Sequence, residues 1–288
     1  MKRFFILASA AIVALASCAK TEVVYKDAPQ EIAFKQITNV LTKAGLGDNE
    51  DVKIGVYADY QDLTNATVSY FNNVPFDKDG SSWSATPKKY YPVSGELDFV
   101  GYAPYAQSDV ASYASNKLKL TLTDNNTNQY DLLYSAKIQG VDKTEGATAQ
   151  TMSMYHALAK IQYSITANTG VTVNTVTLED IYEDGVYTVN YSDFDNKTGR
   201  WDVSNVTKTD WTTTSLTDTR LVVPGEQTKI TLNYTMLGAA AVDHTITLNG
   251  NWEEGKLYTY NITITPKEII FAPSVTGWVS TPVTVPAI

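Results

Sequence analysis

The chain is poor in the residues from which most reactive and metal-binding sites are built. Of its 288 residues one is cysteine and two are histidine. A single cysteine forms no disulfide within the chain, so packing has to hold the fold. His156 and His244 stand far apart, each without a cysteine or second histidine nearby, and no zinc or copper site is legible. His156, just before Ala157-Leu158-Ala159, reads as a hydrogen-bonded residue near a strand start rather than a catalytic base. Gly-x-Ser-x-Gly, a phosphate-binding glycine loop and a dinucleotide fingerprint are all missing. The expectation is a protein without catalysis, metal or cofactor.

Positive charge is scarce as well. Lys and Arg number 22 against 31 Asp and Glu, for a net charge of −9, and no basic patch stands out. Such a field repels phosphate, which argues against nucleic acid as a partner. The acids offer no clear catalytic pair. Glu179 and Asp180, Glu183 and Asp184, and Glu253 and Glu254 are neighbours in sequence. Adjacent residues of a strand point to opposite faces, and turns collect acids, so a glycosidase-type pair is not indicated. Asp193-Phe194-Asp195-Asn196-Lys197-Thr198-Gly199 alternates oxygen donors as a calcium loop does, but lacks the glutamate at the twelfth position. A turn between strands explains the same residues.

Long apolar runs are also absent. The longest, Phe4 to Ala16, falls short of the roughly 20 residues of a membrane span. It follows Met1-Lys2-Arg3 and leads into Leu15-Ala16-Ser17-Cys18, where small residues precede the cysteine. That order is a signal peptide with a lipobox. Cys18 is the expected acyl acceptor, and membrane lipid the expected partner of the precursor. Loss of Lys2 and Arg3 with the signal leaves a still more acidic chain.

What the chain does have is strand-forming material. Hydrophobic residues make up 43% of it, charged ones only 18%, and 19 tyrosines accompany abundant Thr, Val and Ile. The length suits two domains at roughly 100 to 200 residues each. The reading is a signal peptide over 1–18, a polar tether over 19–30, an N-terminal β-sandwich over 31–149 and a C-terminal one over 150–288. The boundary lies at the polar break from Gln139 to Gln150, which holds Gly140 and Gly146.

The first strand-like run, Glu31 to Ile37, is set apart by the loop Leu46 to Asp51. Further candidates are Lys53–Tyr57, Thr67–Phe71, Leu97–Tyr102, Lys117–Leu122 and Tyr130–Tyr134 in the first half. The second half holds Lys160–Thr166, Val171–Leu178, Val186–Asn190, Arg220–Val223, Lys229–Tyr234, His244–Leu248, Leu257–Thr265, Glu268–Phe271 and Val279–Val285. Lys117-Leu118-Lys119-Leu120-Thr121-Leu122 alternates cleanly, with one wet face and one buried. No amphipathic helix of three turns is found, and the spacing favours sandwiches over a barrel. The five tryptophans read as sandwich core, with a sugar-binding platform as the alternative if they prove exposed.

Several segments, in order, resemble the fimbrillin-like family, the lipoprotein pilins of type V pili in Gram-negative bacteria. They are Lys89-Tyr90-Tyr91-Pro92 with Leu97 to Tyr105; Asp131-Leu132-Leu133; Met154-Tyr155-His156-Ala157-Leu158-Ala159-Lys160-Ile161; and Gly255 to Ile262 with Ile269 to Trp278. The resemblance implies an all-β fold of two tandem transthyretin-like β-sandwich domains. It implies a lipoprotein precursor carried to the outer membrane, from which a protease removes the lipid together with the first strand. Carried onto this sequence, the removable strand is Glu31 to Val40 with Ile32, Phe34 and Ile37, and the cut site is Lys43. The family's protease is commonly arginine-specific, whereas beyond Arg3 this chain has only Arg200 and Arg220.

A strand lost from a sandwich leaves unpaired backbone groups and apolar pockets that an incoming strand fills. The expected donor is the C-terminal stretch with Val279, Thr281, Val283 and Val285 on one face; Pro282 and Pro286 suit an edge strand. The expected partners are other pilin subunits, a processing protease, and host protein or glycan. The alternative is a monomeric, lipid-anchored surface protein that binds glycan or host protein.

Overall fold

The computed structural model describes residues 28–38, 53–80, 82–105, 110–123, 125, 129–192 and 199–278. The first half contributes β1 (Ala33–Thr38), β2 (Ile54–Gln61), β3 (Thr67–Asp79), β4 (Ser82–Ala85), β5 (Glu96–Ala103), β6 (Ala111–Ala114), β7 (Lys117–Leu122), β8 (Leu133–Ser135), β9 (Ile138–Val141) and β10 (Gln150–His156). The second contributes β11 (Ala159–Ala167), β12 (Val171–Ile181), β13 (Gly185–Asn190), β14 (Gly199–Asp202), β15 (Thr209–Thr213), β16 (Thr217–Val222), β17 (Gly225–Glu226), β18 (Lys229–Met236), β19 (Val242–Thr247), β20 (Asn251–Trp252), β21 (Lys256–Ile264) and β22 (Ile269–Gly277). Among the described residues the only helical element is a 3₁₀ turn at Glu145–Ala147. The all-β expectation holds.

The first sheet runs β2-β3-β4-β1-β10-β8-β5-β9, and β2 also pairs with β5. The sheet therefore closes on itself around a core that includes Ile54, Val56, Phe76, Phe99 and Met154. Side chains alternate along β2: Val56 and Ala58 enter this core, while Tyr57 belongs to a second one. In the second half, β16-β11-β21-β22 and β15-β12-β18-β19 form two four-stranded sheets. They share a third core in which Ile161, Tyr260 and Val222 of one sheet meet Leu178, Ile230 and Leu232 of the other, making a sandwich.

A fourth sheet, β14-β13-β7-β6, takes two strands from each half. Its central pair joins Gly185 to Leu122 and Asn190 to Lys117, antiparallel. Leu118, Leu120 and Leu122 all face the second core, as the alternation of Lys117–Leu122 predicts, and there they meet Tyr57 and Tyr102 of the first sheet and Leu221 of the second half.

Differences from the sequence reading are local. The polar break at 139–150 contains the end of β9 and the start of β10. β10 pairs with β1 and β8, so the change from the first sheet to the sandwich comes at Ala157-Leu158. His156 ends a strand rather than starting one.

Candidate functional site

The first strand is the part of the fold whose neighbours define a site. Ile32 and Phe34 are wholly buried, while Ala33 between them is partly exposed and Lys35 is exposed. This two-residue period turns one face of the segment into the first core. Phe34 packs edge-on to Phe99 at 5.4 Å and lies 5.4 Å from Phe76. Each fully buried aromatic of this kind contributes roughly 1.5–3 kcal/mol.

Backbone pairing fixes both edges. Ahead of the strand, the Ile32 N–H donates to Lys89 O and the Tyr91 N–H to Gln30 O, both at 2.8 Å. Within it, Ala33 and Phe34 face Ser84 and Trp83 of β4, antiparallel. On the other edge β1 runs parallel to β10, with Phe34 opposite Gln150 and Ile37 opposite Met152, and a bulge between Phe34 and Gln36. At the rim Lys88 reaches Glu31 at 2.6 Å, and this contact raises the Lys88 pKa. β1 is thus the link between β4 and β10. Taking it out opens the closed sheet, exposes two rows of N–H and C=O groups, and uncovers the pocket that Ile32 and Phe34 fill.

Of the residues singled out in the sequence, Ile32 and Phe34 therefore stand together in this site. Ile37 continues its backbone register. Cys18, Lys43, Val279, Thr281, Val283 and Val285 lie outside the described residues, as do 193–198 of the Asp-rich loop.

The other chemical candidates are engaged structurally. Glu183 holds the buried Arg220, with Nε 2.9 Å from Oε1, and Thr209 donates to Oε2 at 3.0 Å. Glu254 accepts from Tyr187 at 2.6 Å and from Tyr134 at 3.3 Å; burial nonetheless pushes its pKa up. Among the described residues no group of three His, Cys, Asp or Glu side chains is placed to hold a metal. Trp83, Trp252 and Trp278 are buried, and Trp201 and Trp211 are half-buried. The tryptophans are core residues and form no exposed platform.

A sequence profile of the fimbrillin-like family matches residues 38–278. The chain belongs to the fimbrillin-like family. Membership makes it a pilus subunit or adhesin of the cell surface, and not an enzyme. No curated protein matches the chain. Among solved structures, a candidate cell-adhesion protein from Bacteroides uniformis superposes with a TM-score of 0.62 at 21% identity, covering 86% of this chain and 99% of that one. One from Bacteroides ovatus gives 0.60 at 17% identity, covering 88% and 100%. A fimbrial protein from Bacteroides vulgatus gives 0.58 at 18%, covering 86% and 99%. These likenesses establish the fold.

In this fimbrillin-like chain the C-terminal side is also tied down, by a cluster that sequence reasoning missed. Trp278, the last described residue, stacks on His156 with ring centroids 3.7 Å apart and planes 11° from parallel. His156 Nδ1 lies 2.9 Å from Asp131 Oδ1, and the Lys160 ammonium sits 5.2 Å above the indole. The Trp278 N–H donates to Gly255 O at 2.8 Å. Asp131, His156, Lys160 and Trp278 lie up to about 150 positions apart in sequence, and nothing in their spacing signals the contact. Of the arginines among the described residues, Arg220 is buried and Arg200 lies on β14.

Proposed function

We propose that the protein is a pilus subunit exported as a lipoprotein acylated at Cys18, carried to the outer membrane, and made competent for assembly when cleavage at Lys43 releases β1. The groove so made accepts a strand from another subunit, and the C-terminal stretch with Val279, Thr281, Val283 and Val285 is the donor. The observation that carries this reading is the position of β1. Phe34 within it and Ile32 just ahead of it are fully buried, yet it closes the first sheet through only two residue pairs to β4 and one parallel edge to β10. A strand placed so is covalently expendable once the chain beyond it is cut, and its loss creates both hydrogen-bonding edges and an apolar pocket for a replacement.

The family supports assembly with other pilin subunits. The stacking of Trp278 on His156 ties the chain to the body immediately ahead of the stretch assigned as donor, which is compatible with that assignment. The test is removal of residues 1–43. Soluble higher oligomers from protein that stays folded support strand exchange; a stable, folded monomer contradicts it.

A further inference from the structure

A cleft unrelated to β1 lies where the first sheet meets the sheet that spans both halves. It has a volume of about 530 Å³ and is lined by β2, β3 and the β6–β7 hairpin. Tyr57 and Asp59 project into it from β2, across from Ser69 and Asn72 of β3 and from Tyr113 and Asn116 of the hairpin. The β2–β3 pairing shifts register on both sides of Ala58, and such bulges re-aim neighbouring side chains. We propose that this cleft binds a neutral, hydroxyl-rich ligand, a sugar residue of a glycan.

Three observations point there. The first is an unpartnered donor. Tyr57 is 2% exposed, lines the cleft, and its hydroxyl has no hydrogen-bond partner among the described residues. A buried hydroxyl left so costs free energy, and because it is closed off in this structure a ligand oxygen recovers that cost only by widening the cleft at Tyr57.

The second is the grouping of polar atoms around it. The Tyr113 hydroxyl donates to Asn116 Oδ1 at 3.1 Å, with the Asp59 carboxylate close by. Asn116 Oδ1 also accepts from Lys137 at 2.9 Å, so the amide N–H groups are what Asn116 has to offer a ligand. A carboxylate and an amide side by side accept from and donate to neighbouring hydroxyls at once. The tyrosine rings, with Tyr57 and Tyr113 centroids 5.6 Å apart, supply apolar surface for C–H groups.

The third is charge. Asp59 is the only carboxylate among the lining residues, which include no Lys, Arg or His, and the Lys137 ammonium already acts on it. Lys137 is itself paired with Asp98 at 2.8 Å. The site therefore has no cation to spare for an acidic sugar, and its carboxylate has a cation already. The chain's net charge of −9 disfavours anionic glycans further.

The test uses the full chain carrying Cys18→Ser, titrated with methyl α-mannoside, methyl β-galactoside and N-acetylglucosamine up to tens of millimolar and followed by ¹⁵N-resolved NMR. Saturable shifts centred on Asp59, Ser69 and Asn116 with at least one sugar are expected. Asp59→Asn and, separately, Tyr57→Phe should weaken that binding by roughly tenfold or more with the rest of the spectrum unchanged. Absence of saturable shifts with all three sugars overturns the proposal. So does binding that neither substitution weakens, and so does saturation at these residues by n-butylamine with none by sugars, which makes the cleft a cation site. Because β1 contributes nothing to the cleft, failure here leaves the strand-release reading untouched.

Discussion

Phe34 stands edge-on to Phe99 with ring centroids 5.4 Å apart, the first ring from β1 and the second from β5 of the same closed sheet. Both are wholly buried. The packing of the first core thus depends on a segment that the proposed function requires to leave, and the stability of the precursor reports on how firmly that segment is held.

Phe34→Ala removes a ring that no neighbour can replace without collapse of the core. A loss of about 3–5 kcal/mol is expected, against less than about 0.5 kcal/mol for Lys35→Ala on the exposed face of the same strand. Urea denaturation of the two variants measures the difference.

Glu183 and Arg220 are both about nineteen-twentieths buried and are partners of one another. Glu183→Gln takes the carboxylate away from the buried guanidinium and should cost roughly 3–5 kcal/mol. The paired change Glu183→Leu with Arg220→Met should cost less than Glu183→Gln alone, because a buried ion pair gives back in attraction little more than it loses in desolvation. Thermal melting of the three proteins decides it.

Burial raises the Glu254 carboxyl pKa, although Tyr187 and Tyr134 donate to it and oppose the rise. A folded pKa above the unfolded one means that the native state holds the proton more tightly. The resulting stability is fully present below the unfolded value of about 4.3 and is lost as pH rises through the folded value. Unfolding free energies measured from pH 4 to neutrality should therefore show the wild type losing ground to Glu254→Gln as pH increases.

Gly199 lies flat against Tyr187, where an added Cβ would fall 2.0 Å from the ring, and its N–H donates to the Tyr187 hydroxyl at 3.0 Å. Gly199→Ala should shift the ring and lower stability by roughly 1–3 kcal/mol, read as a drop in melting temperature. Gly225, with open space around its Cβ position, should accept alanine with little change.

Much of the fold is legible in the sequence because many strands carry a period of two. Lys117–Leu122 and Lys229–Tyr234 match the observed strands closely, since each buries alternate residues. Thr209–Thr213 is short and polar, and its strand character comes from pairing with β12 rather than from its own pattern, while Ala111–Ala114 and Ser82–Ala85 are too short to stand out and are held by pairing with β7 and with β3 and β1. The site divides in the same way. Ile32 and Phe34 announce a buried face by spacing, but the parallel pairing of β1 with β10 joins residues more than a hundred positions apart. Neither the Trp278–His156 stack nor the cleft at Tyr57 leaves a local signature, because both arise from side chains that only the topology brings together.

The most direct test of strand release is limited proteolysis of the full chain carrying Cys18→Ser with a lysine-specific protease, the cut identified by mass and the product by size-exclusion chromatography. An early single cut after Lys43, loss of the fragment holding Ile32 and Phe34, and growth of higher oligomers are the expected result. A body that stays monomeric after that cut, or resistance at Lys43 while other lysines are cut, would contradict the account.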